Sequence, residues 1–133
     1  MKYIIIILIL QIGCGDKNNV MSASDIINAT TIDGVYRIAN YFKGTNQPSL
    51  SIVTYKKGLR LIENNHLDNE QIIDKAFLNK NIAECYWNMG YRKAALNYIN
   101  KALIIEPNSE ILPQYKDTYL QGYKKIKPFV YDW

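Results

Sequence analysis

The feature that most constrains this chain is a pattern of small and large residues at fixed spacing that occurs twice. In residues 79–107, NKNIAECYWNMGYRKAALNYINKALIIEP, the spaced positions are Ile82-Ala83, Tyr86, Gly90, Ala95, Ile99, Ala102 and Pro107. Each has a packing reason. Ala83 and Ala95 are small where two antiparallel helices must approach closely, and Tyr86 and Ile99 fill the space beside them. Gly90 turns the chain between the helices. Pro107 lacks the N–H that continuation would need, so it ends the second helix. A shift of 44 residues lays 32–65 onto 76–109 without a gap. Ile38-Ala39 then falls on Ile82-Ala83, Phe42 on Tyr86, Ser51 on Ala95, Tyr55 on Ile99, and Lys57-Gly58-Leu59 on Lys101-Ala102-Leu103. Only five of the 34 paired positions are identical, so residue size, and not identity, carries the correspondence. The first unit departs from the second at Gly58, where an Ala is expected, and at Glu63, where the Pro should stand.

This spacing resembles the tetratricopeptide repeat, whose pattern is W-x₂-L-G-x₂-Y, then A-x₃-F, then P. Asn79 stands at the Trp position, and the other positions are matched or conservatively replaced. The resemblance implies an all-α fold: a short solenoid of antiparallel helix pairs, with repeats at about 32–65 and 76–109 and a capping helix at about 110–126. Such units bury their cores only against neighbours, and terminal units are atypical because one face meets water.

The stretch between the two units shows where the longer helix begins. Asp68 can cap it, Gln71 three residues on completes a capping box, and Leu67 with Ile72 forms a hydrophobic staple. This predicts a helix from about Asn69 to Asn88, about 30 Å long at 1.5 Å per residue, which outreaches its partner by about two turns. Beyond Pro107, Ile111, Tyr115, Tyr119, Tyr123 and Ile126 recur at helical spacing, with Leu112 and Leu120 widening the stripe. Pro128 stops this last helix and leaves residues 128–133 as an aromatic tail. Ser24-Asp25-Ile26-Ile27 either begins a short leading helix or merges into the first repeat. The helical domain is expected to span 23–127.

The chain opens MKYIIIILILQIGC, one Lys followed by a run from Ile4 to Ile12 that is apolar except for Gln11. Crossing a bilayer takes about 20 apolar residues, so the run is too short to span and reads as a secretion signal. A small residue directly before a Cys at the end of such a run resembles the lipobox of bacterial lipoproteins, with Gln11 departing where that family prefers Leu. The resemblance implies that residues 1–13 are removed and that Cys14 carries the acyl chains that hold the protein on a membrane. Residues 14–22 follow as a tether. Gly15, in place of an Asp that retains some lipoproteins in the inner membrane, favours the outer one.

The chain carries almost none of the residue patterns that support catalysis or metal binding. His66 is the only His, no C-x₂-C or H-x₃-H spacing is present, and no nucleophile-elbow, P-loop or dinucleotide motif occurs. No catalytic residue, metal ligand or cofactor is expected. Cys85 lies within a predicted helix and reads as a small core residue, with an intermolecular disulfide as the functional alternative. The 16 Lys and Arg against 12 Asp and Glu give a net charge of +4. No long basic block is present, so no nucleic-acid partner is expected. Lys124, Lys125 and Lys127, among Tyr123, Phe129 and Tyr131, read as a solvated helix end, with binding of phosphate backbones or anionic lipid as the functional alternative.

In tetratricopeptide proteins the first helices of the repeats line a groove that takes a peptide or protein. The resemblance places Tyr36, Asn40 and Lys43 there in the first unit, and Lys80, Glu84, Trp87 and Asn88 in the second. Aromatics supply buried area in such a groove and amides fix orientation. Asn40 with Lys80 hints at the carboxylate grip of some family members, but Glu84 one turn from Lys80 would repel a carboxylate. The reading that follows is a lipid-anchored interaction module of the bacterial envelope. A small inhibitor or immunity-type lipoprotein that blocks a toxin or hydrolase is the alternative.

Overall fold

Among the described residues, side chains cap the starts of three helices. The structure, a computed structural model, describes residues 20–63 and 68–126, with side chains as far as Gly122. The leader with Cys14, most of the tether, His66, Leu67 of the proposed staple and the aromatic tail lie outside the described residues. So do the side chains of Tyr123, Lys124, Lys125 and Ile126. Six helices follow in order among the described residues: α1 (Ala23–Asn28), α2 (Ile32–Gly44), α3 (Pro48–Glu63), α4 (Asn69–Asn88), α5 (Arg92–Ile105) and α6 (Leu112–Ile126). Ahead of α1 the Ser22 N–H donates to the Asp25 carboxylate at 2.6 Å. The Thr31 hydroxyl accepts from the Gly34 N–H at 3.1 Å at the start of α2. The capping box read from the sequence closes both ways on α4. Gln71 N–H donates to Asp68 Oδ1 at 2.8 Å, and Asp68 N–H donates to Gln71 Oε1 at 3.1 Å. Pro48 opens α3, a first-turn position where the missing N–H costs nothing.

The two helix pairs turn in the same way. Gly90, between α4 and α5, has φ +90°, and Asn46, between α2 and α3, has φ 57°. These positions are 44 residues apart, the same shift that aligns the units. Gly and Asn are the residues that enter the left-handed region most readily, so one turn geometry is served by two different side chains.

Consecutive helices pack on one another from α2 to α6, and α1 lies against α2 and α3. The positions assigned to close approach are fully buried: Ala39 and Ser51 in the first pair, Ala83 and Ala95 in the second. Ser51 replaces an Ala without an orphaned hydroxyl, because its Oγ donates to the Ala39 carbonyl at 2.9 Å. Phe42 and Tyr55 in the first pair and Ile99 in the second fill the neighbouring volume. One core joins α1–α4 around Val35, Tyr55 and Leu78, and a second joins α4–α6 around Ile99, Leu112 and Tyr119.

Gly58 has its reason in this packing. A Cβ there would lie 2.9 Å from Val35 Cγ1 and 3.1 Å from Leu78 Cδ1, so α3 comes as close to its neighbours as a glycine allows. In α6 the apolar stripe begins one residue later than the sequence indicates. Ile111 is 61% exposed and precedes the helix, while Leu112 is buried. The Ser109 hydroxyl accepts from the N–H groups of both Ile111 and Leu112 at 3.3 Å, which ends the loop there and turns Leu112 inward. Ser24-Asp25-Ile26-Ile27 forms a separate short helix, with Ile26 buried and Ile27 exposed.

Candidate functional site: the face of α2, α4 and α6

Alternate helices of a stacked array share a face, and here that face is formed by α2, α4 and α6. The middle helix joins the other two through side chains. Lys43 on α2 reaches Glu84 on α4, with Nζ to Oε2 at 2.8 Å, and Lys80, one turn before Glu84, lies 3.5 Å from the same oxygen. Lys80 is only 9% exposed. Its ammonium lies 4.8 Å from the Phe77 ring centre and 4.9 Å from that of Tyr115 on α6, and donates to Asn81 Oδ1 at 3.2 Å. Burial pushes the Glu84 carboxyl up, but Lys43 and Lys80 outweigh it and hold it below the usual range. Glu84 is therefore an anion that two cations share, and both cations are engaged within the fold.

Tyr36 and Asn40 on α2 are tied in as well. The Tyr36 hydroxyl donates to Asp74 Oδ1 at 3.2 Å, and its ring meets Phe77 edge-on at 5.8 Å. Burial and then Asp74 raise its pKa well above the ordinary tyrosine value. Asn40 is exposed, and its Oδ1 accepts from the Tyr55 hydroxyl at 2.9 Å. Burial pushes the pKa of Tyr55 up to about 12.

Trp87 holds α6. Its ring stacks on Tyr119 with centroids 4.6 Å apart and planes 20° from parallel, and a Cβ on Gly122 would overlap it. The Arg92 guanidinium lies 4.0 Å from the indole centroid. Such contacts contribute about 0.5–1.5 kcal/mol each beyond area burial. The residue that the sequence offers as a partner's anchor is therefore largely occupied in fixing the last helix.

Between α4 and α6 lies a cleft of about 450 Å³. Glu84, Trp87 and Asn88 form one wall, and Gln114, Tyr115 and Thr118 line the other. Of the seven residues placed on the groove by sequence, the cleft brings together these three on α4. Lys43 joins only through Glu84, Lys80 lies beneath, and Tyr36 and Asn40 stand apart on α2. The α6 wall is not among the residues that the sequence places on the groove. Its signal is the spacing of Tyr115, Thr118 and Tyr119, one helical face, on the first helix to follow the second unit. Asn88, Gln114 and Thr118 are exposed. The cleft thus offers an amide and hydroxyl rim beside aromatic walls, which suits orientation of a polar chain over an apolar contact.

Cys85 lies nearby but inside. It is buried, with Sγ 3.7 Å from Ser51 Oγ, and burial pushes its thiol pKa up. A disulfide to another molecule cannot form from that position. Among the described residues no group of three or more His, Cys, Asp or Glu is placed to hold a metal ion. No helix among them is long and apolar enough to cross a membrane.

The tetratricopeptide repeat family model matches residues 81–109, from the second half of α4 through α5. No curated protein and no solved structure matches the chain. Tetratricopeptide repeats mediate binding to other proteins or peptides in general, and their all-helical fold is typically a non-enzymatic scaffold. The described residues form an all-α array of antiparallel helix pairs, a tetratricopeptide-like solenoid, and residues 81–109 match the tetratricopeptide repeat.

Proposed function

We propose that this protein is a lipid-anchored interaction module of a bacterial cell envelope, which takes a segment of a partner protein on the face of α2, α4 and α6. The observation that carries the reading is the α4–α6 cleft, where Asn88, Gln114 and Thr118 border the aromatic walls of Trp87, Tyr115 and Tyr119. Supporting the anchor is the sequence alone: the short apolar run that ends in Gly13-Cys14, with Cys14 the one thiol there. Several acyl chains give stable attachment where one gives only marginal binding, at about 0.8 kcal/mol per buried CH₂. Gly15 favours the outer membrane.

Two substitutions test the two halves separately. Asn88→Arg sets a long cation across the cleft from an exposed position. It should leave thermal unfolding unchanged and cut capture of partner from a host envelope extract by about thirtyfold, the loss a hot spot of 2 kcal/mol produces. Equal capture of the same proteins by the folded variant would remove the cleft as the interface. Cys14→Ser should shift the protein from the membrane to the soluble fraction. Retention on the membrane with the leader still attached would remove the anchor.

A further inference from the structure

On the side of the array formed by the second helices of each pair, positive charge collects in excess of negative charge. Val53, Lys56, Lys57 and Arg60 recur along α3 at i, i+3, i+4 and i+7, so they form one stripe. A cavity of about 540 Å³ opens beside that stripe, between α3, α4 and α5. Lys56 and Arg60 approach it from α3, Lys75 from α4 and Lys101 from α5, with Glu63 the one carboxylate among its lining residues. Three net charges thus face one opening in a chain whose whole net charge is +4. None of the four cations forms an ion pair with a described residue. Two of them converge on one ring: Lys101 Nζ is 4.4 Å and Lys56 Nζ 5.7 Å from the Tyr98 centroid.

Apart from Tyr98 and the Asn79 amide, the rest of the lining is aliphatic. Leu59, Ile104 and Ile105 form it, and Ile104 is 80% exposed. Arg60 also borders a second hollow on the same stripe, where Ile27 of α1 and Val53 of α3 are 75% and 48% exposed. Lys57 stands there and donates to the carbonyls of Ile26 and Ile27, which leaves its ammonium beside those side chains. Cations ringed by exposed aliphatics match a phospholipid surface of negative charge. An acidic protein segment would satisfy the charges but leave the aliphatic groups facing water.

We propose that the α3–α5 side is a docking surface for anionic phospholipid, with the cavity under Tyr98 taking the headgroup phosphate and Ile104, Ile27 and Val53 meeting the acyl region. This side is distinct from the α2–α4–α6 face. A protein docked in this way would present its partner cleft away from the bilayer. Only one supporting detail rests on the lipid anchor: Ala23 lies nine residue steps beyond Cys14, a reach of about 30 Å at 3.3–3.6 Å per residue. That length is enough for α1 and α3 to touch the membrane that holds the acyl chains.

The test is titration of the full chain with dihexanoyl phosphatidylglycerol below its micellar concentration. Three comparators are used: dihexanoyl phosphatidylcholine, glycerol phosphate and tetraglutamate. The Ile4–Ile12 run of the leader takes acyl chains whatever the headgroup, so it contributes equally to the two lipids. Phosphatidylcholine lacks the net negative charge, and glycerol phosphate and tetraglutamate lack the acyl chains, so phosphatidylglycerol should bind about tenfold or more tighter than each comparator. Lys101→Glu and Arg60→Glu, both at exposed positions, should each reduce that binding by tenfold or more with unchanged circular dichroism. They should leave partner capture through the cleft intact, which separates failure here from failure of the proposed function. Equal binding of phosphatidylcholine, equal binding of glycerol phosphate, preference for tetraglutamate, or wild-type lipid binding by both variants would each overturn the proposal.

Discussion

Glu84 shows how one side chain decides what the groove face can bind. With Lys43 at 2.8 Å and Lys80 at 3.5 Å, it leaves neither cation free for a partner's carboxylate. Glu84→Gln would leave Lys80 desolvated beside a neutral group. A quarter of the Glu84 side chain is exposed, so solvent screening reduces the loss below that of a fully buried pair, to about 1–2 kcal/mol at pH 7. The sign with pH follows from the depressed carboxyl. Its stabilisation is present above the ordinary value of 4.5 and fades as the pH falls below that through the lower folded value. Urea unfolding of both proteins at pH 7 and pH 3 should therefore show a gap at neutral pH that narrows in acid. A gap that holds or widens in acid would mean the ion pairs do not stabilise the fold. Gly58 is a second case where magnitudes decide. Gly58→Ala gains about 1 kcal/mol of helix propensity but sets a methyl 2.9 Å from Val35 Cγ1, and both Val35 and Leu78 are fully buried and cannot yield. Overpacking of about 1–3 kcal/mol should win, so the midpoint of thermal unfolding should fall. A higher midpoint would show that α3 has room to move. The sequence marks Gly58 only as a departure; its cause lies in Val35 on α2 and Leu78 on α4, whose approach to α3 the spacing pattern does not show.

At the scale of the helix, the sequence is most informative where the determinants are local. The start of α4 at Asn69 follows from Asp68 and Gln71 alone, and the turn at Gly90 from one residue's φ. The start of α6 is less legible, because the helical period permits either Ile111 or Leu112 and the Ser109 hydroxyl selects between them. The role of Trp87 is not legible, since nothing within its own repeat shows that Tyr119 and Gly122 come to lie on it. This contact predicts how α6 is held. Gly122→Val would force a branched side chain into the indole and lift α6 away while the α2–α3 pair stays closed. Hydrogen exchange should show α6 amides losing protection and α2 and α3 amides keeping theirs. Full protection of α6 would mean Trp87 is not its anchor.

For the whole molecule, the repeat makes two unlike sides from one packing rule. On α2 and α4, Lys43 and Lys80 share Glu84 beside a cleft with a neutral polar rim. On the other side Lys56 and Arg60 of α3, Lys101 of α5 and Lys75 of α4 form no ion pair with a described residue around a mainly aliphatic opening. The repeat spacing fixes which side of α4 packs and so sets Glu84, Trp87 and Asn88 beside the cleft, but it does not distinguish them from Lys80, which is buried. The α6 wall is not legible, because a cap breaks the pattern that would identify its face. The central claim is that partner contact occurs at the α4–α6 cleft. It is tested most directly by a photo-crosslinking amino acid placed in turn at Asn88, on the cleft wall, and at Asn97, exposed on α5. Irradiation in the host should join one and the same partner protein to the Asn88 probe and not to the Asn97 probe, and Gln114→Arg should abolish the product. A partner captured equally from both positions, or from Asn97 alone, would contradict the account.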